Sequence, residues 1–317
     1  MSKAERIRRM NARERVAAQQ AAAKRAEARR RMFIASGSVL VVIVIVVVLI
    51  VVKASSNNPP AAAASGKTAS AATTSQVVSE ITSVPASTLN AVGAGTGVSK
   101  LIPTKPGQQL LTSNGKPEIV YMGAEYCPYC AAERWALVVA LSRFGTFSGL
   151  HLIHSTSYDA FSNTSTLSFY KSTYTSKYIS FSPVEMYGEE PGQGQQPPAL
   201  QQPTAGQKAL MTKYDAPPYI ASNEAGSFPF VDFANQYLVL GAQYLPSQLG
   251  SQEQENSSHF GLSWTQIAAD LKNPSSPVTQ NILGAANSIT AAICKVDKNA
   301  PASVCNSAAA KAGAGAL

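Results

Sequence analysis

The residues of this chain best suited to covalent chemistry are four cysteines. Two of them stand three positions apart, Cys127-Pro128-Tyr129-Cys130, inside the stretch GAEYCPYCAAERW. A pair at this spacing can exchange thiols with disulfides, supply half of a metal site, or close into a short structural staple. Zinc would need two more ligands, and Cys294 and Cys305, with ten residues between them, lack the paired spacing of a zinc ribbon or knuckle. Copper is the metal alternative to keep, because thiolate and imidazole suit Cu(I) and His151 and His154 are read as sharing one face of a strand. No metal ligand set and no cofactor is assigned. A Gly-rich phosphate loop, a serine nucleophile elbow and a paired-carboxylate pattern do not rise above chance.

The elements that must position the pair are legible around it. Ile119 to Met122 form an apolar, β-branched run closed by Gly123, which predicts a short buried strand. After the cysteines, Trp135, Val138, Val139 and Ser142 recur at helical spacing, widened by Leu137 and Leu141, so an amphipathic helix is expected from the CPYC to near Gly145. Gly149 to Ser155 then read as a second strand, giving a βαβ unit with the cysteines at the helix N-terminus. Free N–H groups and the positive end of the helix dipole favour a thiolate there, on Cys127 as the more exposed sulfur. Pro128 loses no needed N–H as an early helical residue. Farther on, Phe230 to Phe233 and Tyr237 to Gly241 predict an antiparallel hairpin, entered through Phe228-Pro229, a bond that suits a tight turn and a cis form.

The compartment follows from the N-terminus. Residues 1–31 hold eleven Lys and Arg against three Glu, an excess equal to the whole chain's net charge of +8. The remainder is balanced, so nothing basic is left to argue for nucleic-acid binding. The 1–31 segment reads as a basic cytoplasmic tail. Met32 to Val52 carry no charge and, at about 1.5 Å per residue, are long enough for the roughly 30 Å hydrocarbon core. We read this as an uncleaved signal anchor with the N-terminus inside and the main domain extracytoplasmic. Residues 53–100 are rich in Ala, Ser, Thr, Gly and Pro and are expected to be a flexible linker, in which Gln76 to Val92 suit a short amphipathic helix docking on the domain, expected to be no more than transient.

Outside the cytoplasm disulfides persist. Cys294 and Cys305 flank a loop with Pro301 and are expected to form a structural disulfide, the alternative being a redox relay with Cys127 and Cys130. A capping box at Ser263 and Gln266 predicts a helix through Leu271, and Ile282, Leu283, Ala286, Ile289 and Ile293 mark one face of a further helix from about Val278. Ser165 to Gly188 read as strand or loop, Glu189 to Gln207 as a flexible loop, and Lys208 to Tyr214 as a short helix.

Strand, CxxC at a helix start, strand, proline-led hairpin and closing helix together resemble the thioredoxin superfamily. More closely, residues 100 to 310 are similar to a family of membrane-anchored thioredoxin-like proteins known as domain of unknown function 929. The resemblance implies an α/β thioredoxin-like fold with an insertion before the cis-proline hairpin, at about 156–225, and a C-terminal helical extension at 276–317 beyond a domain spanning 101–275. It implies that Pro229 is cis and faces Cys127 and Cys130, and that the backbone of Phe228 pairs with an extended substrate. The expected activity is thiol–disulfide exchange on exported proteins, served by a membrane redox partner. Tyr126 and Tyr129 would shape the groove. Thioredoxin's buried acid before the motif has no counterpart among Ile119 to Met122. Glu125 is the nearest replacement for proton transfer, although an acid at that place reads first as exposed. The insertion suits a substrate lid or, equally, a segment that widens the sheet or covers an edge. The remaining alternatives are copper handling and a tethered binding module whose cysteines are structural.

Overall fold

The structure is a computed structural model that describes residues 69–189, 197–250 and 261–317. The expected tail and anchor lie outside the described residues, and among those described no helix is long and apolar enough to cross a membrane.

The chain is a mixed α/β protein. Helices α1 (Ala71–Thr82) and α2 (Ala86–Val92) come first, then strands β1 (Ile102–Pro103), β2 (Thr112–Ser113) and β3 (Lys116–Gly123). The two helices correct the expectation of a linker up to residue 100. Ser70 caps α1 by accepting from the Thr73 N–H, and Val77 and Ile81, one turn apart, are fully buried. In α2, Leu89 and Val92 are buried likewise. Large apolar residues are few here, but those few sit at helical spacing and join the main core, which composition alone does not reveal.

Helix α3 (Pro128–Ser142) follows β3, then β4 (Gly145–Ser148), β5 (His151–His154), β6 (Ser165–Ser168), β7 (Thr173–Ser176) and β8 (Ser180–Glu185). The expected strand at 149–155 exists, but it is not the parallel partner of β3. It pairs antiparallel with β6, while β4 pairs with β7 around it. The parallel partner is β8, in register from Glu118 opposite Ser180 to Gly123 opposite Glu185. Pro183 inside β8 argues against a strand locally, yet β8 pairs on one side only and an edge tolerates proline. The expected insertion therefore splits: nested hairpins precede β8, and α4 (Ala205–Tyr214) follows it.

Strands β9 (Phe230–Phe233) and β10 (Tyr237–Leu240) form the predicted hairpin, turning through Ala234 and Asn235 with positive φ. β9 lies antiparallel to β3, so four strands run β8-β3-β9-β10, with β1 beyond β10 and β2 beside the start of β3. Alternation puts Ile119, Tyr121, Val231 and Phe233 on one face and Val120, Met122 and Phe230 on the other. The first face meets α3 and α6; the second is covered by Leu210 and Met211 of α4.

The C-terminal elements are α5 (Trp264–Asp270), α6 (Pro277–Val296), α7 (Ala302–Cys305) and α8 (Ala308–Gly313). The Ser263–Gln266 capping box is present. α6 belongs to the core rather than to an extension: Ile282, Leu283 and Ile289 pack in one cluster with Trp135, Val138 and Leu141 of α3. Both helices are buried almost all round, and in α3 only Tyr129 and Ser142 escape burial. The one-sided face predicted for each is thus too narrow. A disulfide joins Cys294 and Cys305, with Cα atoms 5.6 Å apart.

Candidate functional site

β3 and α3 together position the dithiol. Gly123 ends the strand, and Cys127 is the N-cap of α3, with extended φ and ψ and a sulfur that accepts the Cys130 N–H at 3.3 Å. Pro128 opens the helix, where its missing N–H costs nothing. The two sulfurs are unequal. Cys127 keeps 8 % exposure, while Cys130 is fully buried; both are free thiols. Cys130, through its thiol and its backbone N–H, holds the Cys127 thiol below the usual cysteine range against the opposing effect of burial, and the Arg134 guanidinium acts in the same direction. Burial, followed by the proximity of Cys127, pushes Cys130 well up. The pair therefore consists of a sulfur disposed to ionise and one disposed to hold its proton.

The structure brings Phe228 and Pro229 to this pair. The Cys127 thiol lies 3.8 Å from the Phe228 carbonyl, the Phe228–Pro229 bond is cis, and the Pro229 carbonyl accepts the Gly241 N–H at 2.8 Å. Beside Cys127 opens a cleft of about 560 Å³ walled by Tyr126, Tyr129, Ile220, Phe228 and Leu240. Tyr129 is 38 % exposed and meets Phe161 edge-on at 6.0 Å, and Tyr126 packs at 6.3 Å from Tyr187. The nested-hairpin segment thus reaches the rim of the site.

Glu125 is not the exposed acid its position suggested. It is 6 % exposed, accepts from the Ser168 hydroxyl at 2.5 Å and lies 4.0 Å from His151 Nε2. β6 covers it, and no local signal marks that cover. His151 and His154 do not share a face: three positions along a strand put them on opposite sides, and the His154 ring lies tilted against Trp264, with centroids 4.1 Å apart. Among the described residues no group of three or more His, Cys, Asp or Glu could hold a metal ion.

Four polar residues near the dithiol escape the sequence reading. Arg134, one turn after Cys130, is fully buried and bound by both oxygens of Glu185, Nε to Oε1 and Nη2 to Oε2, each at 2.8 Å. Its Nη2 also donates to the Ala124 carbonyl at 2.7 Å, which ties the helix to the loop before the cysteines. Breaking such a buried pair from one side costs about 3–5 kcal/mol. Glu133 is equally buried and accepts the Gln243 N–H at 2.9 Å. Tyr121 is buried on β3, its ring edge-on to Phe169 at 5.0 Å. One signal for the charged pair does exist in the sequence: a helix apolar on every side leaves Glu133 and Arg134 no wet face.

No curated protein and no solved structure matches the chain. The family model of a domain of unknown function, DUF929, matches residues 103–295, a stretch that takes in the dithiol, the hairpin β9–β10 and Cys294, and the chain therefore belongs to the DUF929 family.

Proposed function

We propose that the protein is a membrane-tethered thiol–disulfide oxidoreductase with a thioredoxin-like fold, acting outside the cytoplasm on exported proteins. The observation that carries the reading is the asymmetric dithiol at the N-cap of α3: Cys127 at the wall of a cleft, and Cys130 sealed behind it with its N–H on the Cys127 sulfur. The strand order β8-β3-β9-β10, with only β8 parallel to β3, and the Phe228–Pro229 entry to β9 support the thioredoxin-like part. The charge-free run Met32 to Val52 behind a basic segment supports the tether and its N-in orientation. The Cys294–Cys305 disulfide supports an oxidising compartment.

In the reducing direction the Cys127 thiolate attacks a substrate disulfide, forming a mixed disulfide and releasing one substrate thiolate, which takes up a proton. Cys130 gives its proton to that first thiolate and then attacks the Cys127 sulfur as a thiolate, and the second leaving thiolate takes up a proton from water. Two electrons have moved from the pair to the substrate, and the oxidising direction reverses each step. The run Met32 to Val52 contains no cysteine, so electrons reach the pair from a membrane redox partner rather than through this chain. Turnover of a model protein disulfide tests the reading: Cys127→Ser abolishes exchange, and Cys130→Ser accumulates a mixed disulfide. Exchange at the wild-type rate in Cys127→Ser would refute it. Alkylation of the pair in intact cells gives the direction, a mostly oxidised pair marking an oxidase and a mostly reduced pair a reductase or isomerase.

A further inference from the structure

Cys130 faces a chemical difficulty in the second step. It is sealed from water and its thiol is pushed well above the cysteine range, first by burial, yet it must carry negative charge as it attacks. Among the described residues no carboxylate hydrogen-bonds to it. The charged and titratable groups facing it are Cys127 at the N-cap and Arg134 within its own helix, Tyr126 in the loop before the pair and Tyr121 on β3, with Glu185 of β8 reached through Arg134.

Two of these groups are hydrogen-bond donors without a partner. The Tyr121 hydroxyl and Arg134 Nη1 are both buried and make no hydrogen bond among the described residues. Glu185 and the Ala124 carbonyl occupy Nε and Nη2 and leave Nη1 over. The Tyr121 hydroxyl lies next to Cys130: both fill the space above the Gly123 Cα, where a methyl group would collide with the hydroxyl and come within 3.1 Å of the sulfur. Arg134 follows Cys130 by four positions on one helix face, a spacing of about 6 Å between Cβ atoms. An unsatisfied buried donor is costly, and these two, one beside the Cys130 sulfur and one on the residue a helical turn after it, have no anion to bind.

We propose that the Tyr121 hydroxyl and the Arg134 guanidinium form an internal anion pocket for the Cys130 thiolate, which replaces a buried base in the resolving step. The pocket donates hydrogen bonds to the sulfur once its proton has left with the substrate thiolate, and it stays idle while Cys130 is protonated or joined to Cys127. This rests on the exchange reading above. It deepens that reading by assigning the second half-reaction to residues outside the CPYC.

The test is single-turnover reaction of the full chain in detergent with 5,5′-dithiobis(2-nitrobenzoate), followed at 412 nm. Attack by Cys127 releases the first chromophore equivalent, and resolution by Cys130 releases the second. Tyr121→Phe, which removes only an unpartnered hydroxyl, slows the second phase about tenfold at neutral pH, as loss of one hydrogen bond to a charged group should. It moves that phase's pH midpoint upward by about one unit and leaves the first phase within about twofold. Arg134→Lys, with folding checked by circular dichroism, slows the second phase likewise, since lysine keeps the charge but not the fork. A Tyr121→Phe variant that resolves at the wild-type rate and midpoint overturns this proposal alone. A wild-type chain that releases no second equivalent overturns the exchange reading, and this proposal with it.

Discussion

Glu133→Gln should change the pH dependence of stability in a way that no other role for this residue reproduces. Glu133 lies in the middle of α3 with no exposed surface. One carboxyl oxygen accepts the Gln243 N–H, and the other has no hydrogen-bond partner among the described residues. Burial pushes its carboxyl from 4.5 up to about 7, partly opposed by the Gln243 N–H. Between those values the folded chain holds a proton that the unfolded chain has released. Stability contributed by this group is therefore fully present below pH 4.5 and is lost as the pH rises to about 7. At about 1.4 kcal/mol per pH unit, the loss amounts to about 3 kcal/mol. Glutamine keeps an oxygen for the Gln243 N–H and cannot ionise. Urea unfolding followed by tryptophan fluorescence, run on both proteins from pH 4.5 to 8, should show the variant gaining about 3 kcal/mol on the wild type across the range. Asp232, buried on the opposite sheet face and also pushed up to about 7, contributes equally to both proteins and cancels in the difference. Wild-type and variant curves that run parallel over the whole range would refute the assignment.

Gly123→Ala places a methyl group against the Tyr121 hydroxyl and within 3.1 Å of the Cys130 sulfur. It should lower stability by about 1–3 kcal/mol in chemical denaturation, and adding Tyr121→Phe should return part of the loss. Full additivity of the two substitutions would show that the collision is absent. With Cys127 and Cys130 replaced by serine, reduction of the Cys294–Cys305 bridge, which spans 11 positions, should cost about 3 kcal/mol on the loop-entropy account. For a folded unit of this size that is a drop of roughly 6–12 °C in the calorimetric midpoint, and an unchanged midpoint would contradict a structural role.

What the sequence discloses of the site is its local part. β3, the start of α3 and the hairpin β9–β10 each combine a periodic apolar run with a stop residue such as Gly123 or Pro229, and such signals need no knowledge of the rest of the chain. The identity of β8 depends on which segment returns to lie beside β3, and its proline and serines hide it. The burial of Glu125, Glu133, Arg134 and Glu185 is set by β6, by the loop after β10 and by each other. A charged residue displays no mark of the partner that will dry it. Helices α1 and α2 escaped for the opposite reason: their composition is that of a linker, and only Val77, Ile81, Leu89 and Val92 separate the two.

The two ends of the described chain meet. Asn287 of α6 donates to the Leu89 and Gly93 carbonyls across 198 and 194 positions, Asn90 accepts from the Ala309 N–H across 219, and the Leu101 N–H reaches the Ala316 carbonyl. During synthesis the apolar side of α2 therefore waits, uncovered, for helices that leave the ribosome about two hundred residues later. Contacts so distant in sequence make for slow closure of the core. They also give the first helices a reason to be built of alanine, serine and threonine, since a long-exposed segment with few large apolar side chains offers little for other chains to stick to. A fragment cut at residues 103 and 295 would keep the dithiol and Asn287 but lose α1, α2, α7 and α8, so the stretch that matches the family and the unit that closes on itself are different lengths of chain.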